Sequence, residues 1–220
     1  AQSALSFGHN PPCWLGPAPE GWNPHDLLPC KNGILNLRSQ PPEMRPATPR
    51  FFTSIATEYE FDPVARQPQK WLKFLKQLWP DDSQSINMLQ EWMGYLLSPD
   101  TRQQKILVMI GPPRSGKGTI ARVIRALVGE ANCCGPTLAG LATHFGLQPL
   151  LGKSVAIVND ARMSTRTDQA IVTERLLSIR GEDSQTIERK HLEAVNAMLL
   201  VRLTILSNEL PRFSDSSGAL

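Results

Sequence analysis

The chain has 220 residues, 41% of them hydrophobic, so it can bury the core of one large domain or two small ones. Its formal net charge is +3, and the excess lies in residues 101–220, which hold 15 Lys and Arg against 10 Asp and Glu, while residues 1–100 hold 8 against 10. The basic second half is compatible with a polyanionic partner, and the sequence shows neither the long apolar run of a membrane-spanning protein nor the signal peptide of a secreted one.

Proline dominates the start of the chain. Residues 1–30 contain six prolines, which predicts extended or irregular structure. Lys31-Asn32-Gly33 is typical of a turn before a short strand over Ile34–Leu37, and Phe51-Phe52 predicts a second strand. We expect residues 1–66 to form an irregular, β-containing N-terminal region.

Helical periodicity begins at Gln67. One apolar face ends at Pro80, and a second helix follows Asp82, which offers an N-capping group. Tryptophans can stack on bases, but at helical spacing we assign them to a core. Residues 67–100 are therefore expected to form a helical layer. Its apolar positions are Trp71, Leu72, Phe74, Leu75, Leu78 and Trp79 in the first helix and Ile86, Leu89, Met93 and Leu96 in the second.

A strand, a glycine-bounded loop and a helix follow one another in residues 105–129. Ile106–Ile110 is a continuous apolar run, typical of a strand buried on both faces. The run stops at Gly111, and an amphipathic helix opens near Lys117 and ends at Gly129. Its apolar residues recur at i, i+3, i+4, i+7 and i+8, as Ile120, Val123, Ile124, Leu127 and Val128.

This succession is the context that a phosphate-binding loop requires. Backbone N–H groups over residues 112–118 can surround a polyphosphate, and the helix N-terminus adds partial positive charge. Lys117 can reach the β- and γ-phosphates, and a hydroxyl at the helix start can ligate Mg²⁺. The pattern G-x4-G-K is complete at Lys117, but Gly118 stands where Ser or Thr is usual, and Thr119 follows it.

Two further strands are predicted to end in polar residues. Val155–Val158 is an apolar run followed by Asn159 and Asp160, and a carboxylate at the end of such a strand suits Mg²⁺. An acid after a strand can equally cap the next element, but its place 43 residues after Lys117 makes Asp160 the leading candidate. Leu203–Leu206 is the third run, and Asn208 beyond it can orient the attacking water or contact the γ-phosphate.

A helix and a basic segment lie between those two strands. Thr167–Arg180 has the pattern of a capped helix that stops at Gly181, with Ile171, Val172, Leu176 and Ile179 inward. Residues 182–200 predict a hairpin with cations near its tip. A solvated loop with ordinary charges is an equal alternative.

The four cysteines do not suggest a secreted disulfide framework, so we expect a reducing cytoplasm. His9, Cys13, His25 and Cys30 could together offer two imidazoles and two thiolates to zinc. Their spacing fits no common zinc module well, so we favour packing or loop roles for them.

Four motifs in this order resemble those of the superfamily 3 helicases, and more closely the C-terminal helicase segment of phage and plasmid primase-helicases of the poxvirus-type NTPase group. GPPRSGKGT is similar to the first motif of that group, AIVNDAR to its second, GEDSQTIERK to its basic hairpin motif and LTILSNELPR to its third. The preceding region, from PCKNGILNLRS through WLKFLKQLWPDD to LQEWMGYLLSPDTRQQK, is also similar, so the resemblance covers nearly the whole chain.

The resemblance implies an α/β P-loop NTPase fold related to the AAA+ ATPases over residues 101–220, in a usually hexameric ring around single-stranded DNA. It implies a DNA helicase that uses ATP and Mg²⁺ for replication, in the cytoplasm of a bacterial host, within a phage, prophage or plasmid protein that also carries a primase domain. The residues it assigns are Gly111, Pro112, Arg114, Ser115, Gly116, Lys117, Gly118 and Thr119 for nucleotide binding, Lys117, Asp160 and Asn208 for catalysis, Thr119 and Asp160 for Mg²⁺, and Arg189 and Lys190 for DNA.

Three departures from the family pattern leave roles open. Gly118 displaces the usual hydroxyl, so Mg²⁺ ligation falls to Thr119. Asn159 stands where related enzymes often have a second acid, which leaves the general base unassigned. The resemblance places the arginine finger shortly after SGAL, beyond Leu220. The opening AQSALSFGHN and the closing SGAL resemble the interior of a longer protein, so we expect the chain to be a fragment. No primase active site is recognisable.

Two other functions use a similar loop. GPPRSGKGT also resembles the loop of nucleoside monophosphate kinases, but in those enzymes it lies near the N-terminus, whereas here 110 residues precede it. A nucleotide-gated module that binds or loads DNA without unwinding needs the same site, so the sequence barely separates it from a helicase.

Overall fold

The computed structural model describes residues 13–159, 161 and 169–210. The chain has a mixed α/β fold with a parallel sheet, which confirms the fold class at that level. None of the described helices is long and apolar enough to span a membrane.

Two compact units divide the described chain. The amino-terminal unit comprises residues 13–100 and 114–129, and the sheet unit comprises Thr101–Pro113 together with the described part of residues 130–210. The three-segment organisation expected from the sequence stays a prediction.

The amino-terminal unit begins with short antiparallel strands. β1 (Cys13–Trp14) pairs with β5 (Phe51–Phe52), and a three-stranded sheet contains β2 (Leu27–Cys30), β3 (Gly33–Asn36) and β4 (Glu43–Arg45) in that order. Strands β3 and β5 and the turn before β3 confirm the sequence predictions. A small core at the centre of this region consists of Trp22, Leu27, Ile34 and Phe51.

Strand β2 lies within the proline-rich start of the chain, and residues 27–30 have the extended backbone that was one of the two predicted forms. Pro29 lies opposite Ile34 in the ladder, and its carbonyl oxygen accepts the N–H of Thr57 at 2.9 Å. Alternate residues of an antiparallel strand direct their backbone groups away from the partner, so the N–H that proline lacks is not needed there.

Three helices complete the amino-terminal unit: α1 (Gln69–Leu78), α2 (Ser83–Leu97) and α3 (Lys117–Val128). They confirm the three predicted helices. The carboxylate of Asp82 caps α2 by accepting the Ser85 N–H at 2.9 Å, and the Ser85 hydroxyl, which also donates to it, holds the pKa of Asp82 below its ordinary value. Trp71 and Trp79, assigned to a core, are only half-buried. The buried residues are Leu75 in α1, Leu89, Trp92, Met93 and Leu96 in α2, and Ile120, Ala121, Ile124 and Val128 in α3.

A four-stranded parallel sheet forms the centre of the sheet unit. Its strands are β6 (Leu107–Ile110), β7 (Cys133–Cys134), β8 (Val155–Val158) and β11 (Arg202–Ser207), in the order β6-β11-β8-β7. All four residues of β8 are fully buried, as the continuous apolar run predicts. Strand β11, which lies between β6 and β8, is likewise buried along its length.

Strand β6 is not buried on both faces, so that prediction is wrong. It lies at one end of the described sheet, and Val108 and Ile110, which share a face, are 38% and 48% exposed. An apolar run reports that a strand is hydrophobic, whereas its burial depends on which elements cover each face.

The rest of the sheet unit comprises α4 (Leu138–Leu141), α5 (Gln169–Arg180) and an antiparallel hairpin of β9 (Ser184–Arg189) and β10 (Leu192–Met198). The hairpin and α5 confirm the predicted elements, although the expected helix start at Thr167 lies outside the described residues. The guanidinium of Arg175 in α5 donates to the carbonyls of Leu141 and Thr143, which fixes the end of α4. The buried cluster of this unit includes Leu138, Leu141, Ala156, Val158, Val172, Leu176, Ile187 and Leu203.

The close approach of β3 and β4 generates a prediction about stability. A Cβ at position 33 would clash with the backbone carbonyl of Arg45, so Gly33→Ala should lower the free energy of unfolding by about 1–3 kcal/mol. Gly94→Ala is the matched control. Its Cβ would meet nothing within 4 Å in the described part of the chain, and alanine should stabilise α2 by about 0.5–1 kcal/mol. Urea denaturation measures both, and effects of the same sign would contradict the close approach.

Candidate functional site

The segment Arg114–Gly116 turns the chain into α3. Arg114 and Gly116 have left-handed φ angles of 64° and 88°, and Gly116 is the N-cap of the helix. The Gly116 carbonyl accepts the N–H groups of Thr119 at 2.9 Å and Ile120 at 3.1 Å, which begins the helical hydrogen bonding. A glycine is favoured at this φ because it has no Cβ. The geometry therefore gives α3 a sharply turned N-terminus, the part of a helix that attracts anions.

Two side chains at this N-terminus form local hydrogen bonds. The ammonium group of Lys117 donates to the Ser115 hydroxyl at 3.2 Å, and the guanidinium of Arg122 donates to the Thr119 hydroxyl at 3.1 Å. Lys117 and Thr119 are half-buried, whereas Gly118 is exposed. The arrangement places the Lys117 ammonium, the Thr119 hydroxyl and the Arg122 guanidinium within the first two turns of α3, and the Ser115 hydroxyl directly before its N-cap.

The two glycines beside Lys117 have different surroundings. A Cβ on Gly116 would lie 3.0 Å from Leu78 and 3.1 Å from Phe74 of α1, whereas a Cβ on Gly118 would meet nothing within 4 Å among the described residues. The fold therefore closes one side of the turn at Gly116 and leaves space at Gly118.

Polar residues gather at the carboxyl edge of the parallel sheet. Ile110 lies opposite Ser207, and the Gly111 N–H donates to the Ser207 carbonyl at 3.2 Å, so β6 and β11 end at the same level. Asn208 follows directly. On the other side of β11, beyond the end of β8, the Ala161 N–H donates to the Leu206 carbonyl at 2.9 Å.

The sheet edge thus brings together two of the predicted positions from one unit, the start of the loop at Gly111 and Asn208, and Asn159 follows the end of β8 at the same edge. Asp160, the predicted Mg²⁺ ligand, lies outside the described residues. Ligands of α/β proteins bind beyond the carboxyl ends of parallel strands, where loops supply polar groups.

The β9–β10 hairpin exposes Lys190 and His191 at its tip. Two bonds fix the tip: the Lys190 N–H donates to the Gln148 side-chain oxygen at 3.0 Å, and Arg189 donates to the Glu193 carbonyl at 2.8 Å. His191 has the left-handed φ, 61°, that the tight turn requires. Of the two predicted DNA-binding residues, Lys190 is exposed, while Arg189 is half-buried and braces the backbone of the tip.

Sequence reasoning missed the partners that reach these positions from elsewhere in the chain. Phe74 and Leu78 were assigned only to a helical layer, and Gln148 received no role. Helical spacing marks Phe74 and Leu78 as neighbours on one face, but nothing in the sequence indicates what that face contacts. Arg122 lies one turn after Thr119, so helical spacing could have found that pair.

The suggested zinc set has no support in the described ranges. They contain no group of three or more His, Cys, Asp or Glu side chains that could hold a metal ion. Cys13 is exposed and Cys30 is buried, and both are free thiols. His9 lies outside these ranges.

A phage replication protein is similar to part of this chain. A DNA primase-polymerase of Nitratiruptor phage NrS-1 is 22% identical over 147 residues, which are 67% of this chain and 20% of that protein. Two solved apo structures of the NrS-1 C-terminal region match with TM-scores of 0.60 and 0.56 at 22% and 23% identity. The matches cover 72% and 69% of this chain. They cover only 38% and 36% of the two NrS-1 chains. At this identity the structural matches show a shared fold.

Two family models match different parts of the sequence. One, described as D5 N terminal like, matches residues 19–80. The other matches residues 109–218, which begin inside β6 and include the loop, α3, the hairpin and β11, and which make up half of the chain. On this match, the chain belongs to the family of unknown function DUF5906.

Proposed function

We propose that this chain is the ATP-dependent helicase module of a phage- or plasmid-type replication primase-helicase, with the AAA+-related P-loop fold of the superfamily 3 helicases. The observation that carries the proposal is that β6 and β11 end side by side: Ile110 pairs with Ser207, and the Gly111 N–H donates to the Ser207 carbonyl. It sets the start of the glycine-bounded loop beside the strand that leads to Asn208. The D5 N terminal like match and the likeness to a phage primase-polymerase support the replication setting.

The residues at the start of α3 suit a nucleoside triphosphate. The backbone N–H groups and the partial positive charge at the N-terminus of α3 attract phosphate. The Lys117 ammonium can give up its hydrogen bond to the Ser115 hydroxyl and bind the β- and γ-phosphates instead. The Thr119 hydroxyl accepts one hydrogen bond from Arg122 and retains a lone pair for a metal ion.

Bound Mg²⁺ would neutralise part of the phosphate charge, and the proposed protein ligands are Thr119 and Asp160. Asn208 is proposed to orient the attacking water, because an amide offers both a donor and an acceptor at the end of β11.

Single-stranded DNA is the proposed partner of the hairpin tip. The exposed Lys190 supplies a cation that can contact a phosphate, while its backbone is held by Gln148. Arg189 stabilises the tip through the Glu193 carbonyl and adds positive charge beside Lys190. Such contacts are electrostatic and independent of base sequence.

The remaining parts of the proposal concern the full-length protein. A hexameric ring, a primase domain in the same polypeptide and a bacterial host cytoplasm follow from the family resemblance. The match covers only a fifth of the phage relative, so these features are proposed for a longer protein that contains this chain.

Lys117→Ala tests the nucleotide site. The substitution should lower ATP turnover in the full-length protein by roughly 10²–10³ or more, the cost of removing one preorganised electrostatic stabiliser. The fold should be preserved, because Lys117 is half-buried and lies in the first turn of its helix. A steady-state ATPase assay and circular dichroism measure both. Lys73→Ala, an exposed lysine of α1, is the matched control and should retain wild-type turnover.

Wild-type turnover in Lys117→Ala would refute the phosphate-binding role of the loop. Phosphoryl transfer to AMP by the wild-type protein would instead support a nucleoside monophosphate kinase.

Lys190→Ala tests the DNA-binding role of the hairpin. If Lys190 neutralises one phosphate, its removal should make the slope of log affinity against log salt shallower by about 0.7 for single strands. The variant should keep basal ATPase activity and lose stimulation by DNA, since Lys190 is not part of the nucleotide site. Single-strand affinity at several salt concentrations measures the slope. An unchanged slope with normal stimulation would exclude Lys190 as a DNA-binding residue.

Unwinding of a forked duplex by the full-length protein separates a helicase from a loading module. A helicase should release the displaced strand only with hydrolysable ATP. Nucleotide-dependent DNA binding without strand release would favour the loading module.

A further inference from the structure

The left-handed turn at Gly116 rests against a helix that lies far upstream in the sequence. If Gly116 had a Cβ, its nearest neighbours would be the two methyl groups of Leu78, both at 3.0 Å, and the ring tip of Phe74 at 3.1 Å. These separations are tighter than ordinary van der Waals contact. The two side chains of α1 therefore occupy the side of the turn that a larger residue would fill.

Helix α1 offers a firm surface at this point. Phe74 and Leu78 are four residues apart, so they lie one turn from each other on one helix face. Phe74 also stacks on Trp71, with ring centroids 5.5 Å apart and planes inclined by 28°. Leu75, beside them, has no exposed surface and anchors the helix to the core of the unit.

We propose that Phe74 and Leu78 are positioning residues for polyphosphate binding. They hold Gly116 in its left-handed conformation and thereby fix the N–H groups at the start of α3 in the orientation that receives the phosphates. This inference rests on the proposed nucleotide-binding function. It adds that a helix ending 38 residues before the glycine is part of the phosphate site.

The physical reason is preorganisation. A turn with a positive φ has alternative conformations once its packing is removed, and N–H groups that move by a fraction of an ångström no longer converge on one anion. Phe74 and Leu78 are only half-buried, whereas Leu75 is fully buried. Truncating Leu78 should therefore affect phosphate binding more than it affects overall stability.

Binding of two ligands, MgATP and inorganic tripolyphosphate, tests the inference by calorimetry on the full-length protein. Leu78→Ala and Phe74→Leu should weaken both ligands by the same factor, on the order of tenfold. Leu78→Met, which refills the space, should restore affinity to within a few fold. Leu72→Ala is the matched control: Leu72 is a half-buried leucine of the same helix that supplies none of the three atoms nearest to Gly116.

Several results would overturn the inference. Unchanged affinity in Leu78→Ala and Phe74→Leu would exclude the positioning role, and an equal loss in Leu72→Ala would reduce it to general stability of α1. If these variants bind ATP more weakly but bind tripolyphosphate as the wild type does, Phe74 and Leu78 contact the nucleoside and do not position the phosphate site. If circular dichroism shows that Leu78→Ala is unfolded, Leu78→Val takes its place with the same expected direction. A wild-type protein that binds neither ligand would refute the proposed function itself.

Discussion

The placement of β11 between β6 and β8 is the constraint on which the candidate site depends. Because the three strands are parallel and paired in register, their carboxyl ends reach the same edge, and the chain leaves each strand next to its neighbour. Segments that are far apart in the sequence, at Gly111, Asn159 and Asn208, therefore open from one side of the sheet. A slip of one residue in β11 would turn its buried side chains to the opposite face, so packing of the core and placement of the polar edge are fixed together.

The elements that were predicted correctly are those in which local pattern and tertiary environment agree. Strand β8 is apolar throughout and buried throughout, and three residues of the predicted apolar stripe of α3, Ile120, Ile124 and Val128, are buried. The errors arise where the environment is set by distant parts of the chain. Strand β6 is as apolar as β8 but has an exposed face, and Trp71 and Trp79, which were assigned to a core, are half-buried. Composition does not carry that information.

The same distinction separates the predicted site residues from the missed ones. Lys117 and Thr119 belong to one continuous motif, so their relation is visible in the spacing of a few residues. The side chains that fix the geometry around them, Phe74 and Leu78 at Gly116, are separated from it by about 40 residues. Gln148 at the hairpin tip is a similar case, 42 residues from Lys190. A motif identifies which groups are available for chemistry, whereas the fold determines which groups hold them in place.

The two glycines beside Lys117 show how a structural requirement differs from a functional one. At Gly116 the protein itself demands glycine, because φ is 88° and a Cβ would press on Leu78 and Phe74. At Gly118, in the first turn of α3, a Cβ would meet nothing within 4 Å in the described residues, so packing does not require glycine there, and alanine has the higher helix propensity. The fold would accept a larger residue at Gly118, yet the residue there is glycine, next to a lysine at the start of a helix. This is the property expected where a ligand approaches the backbone.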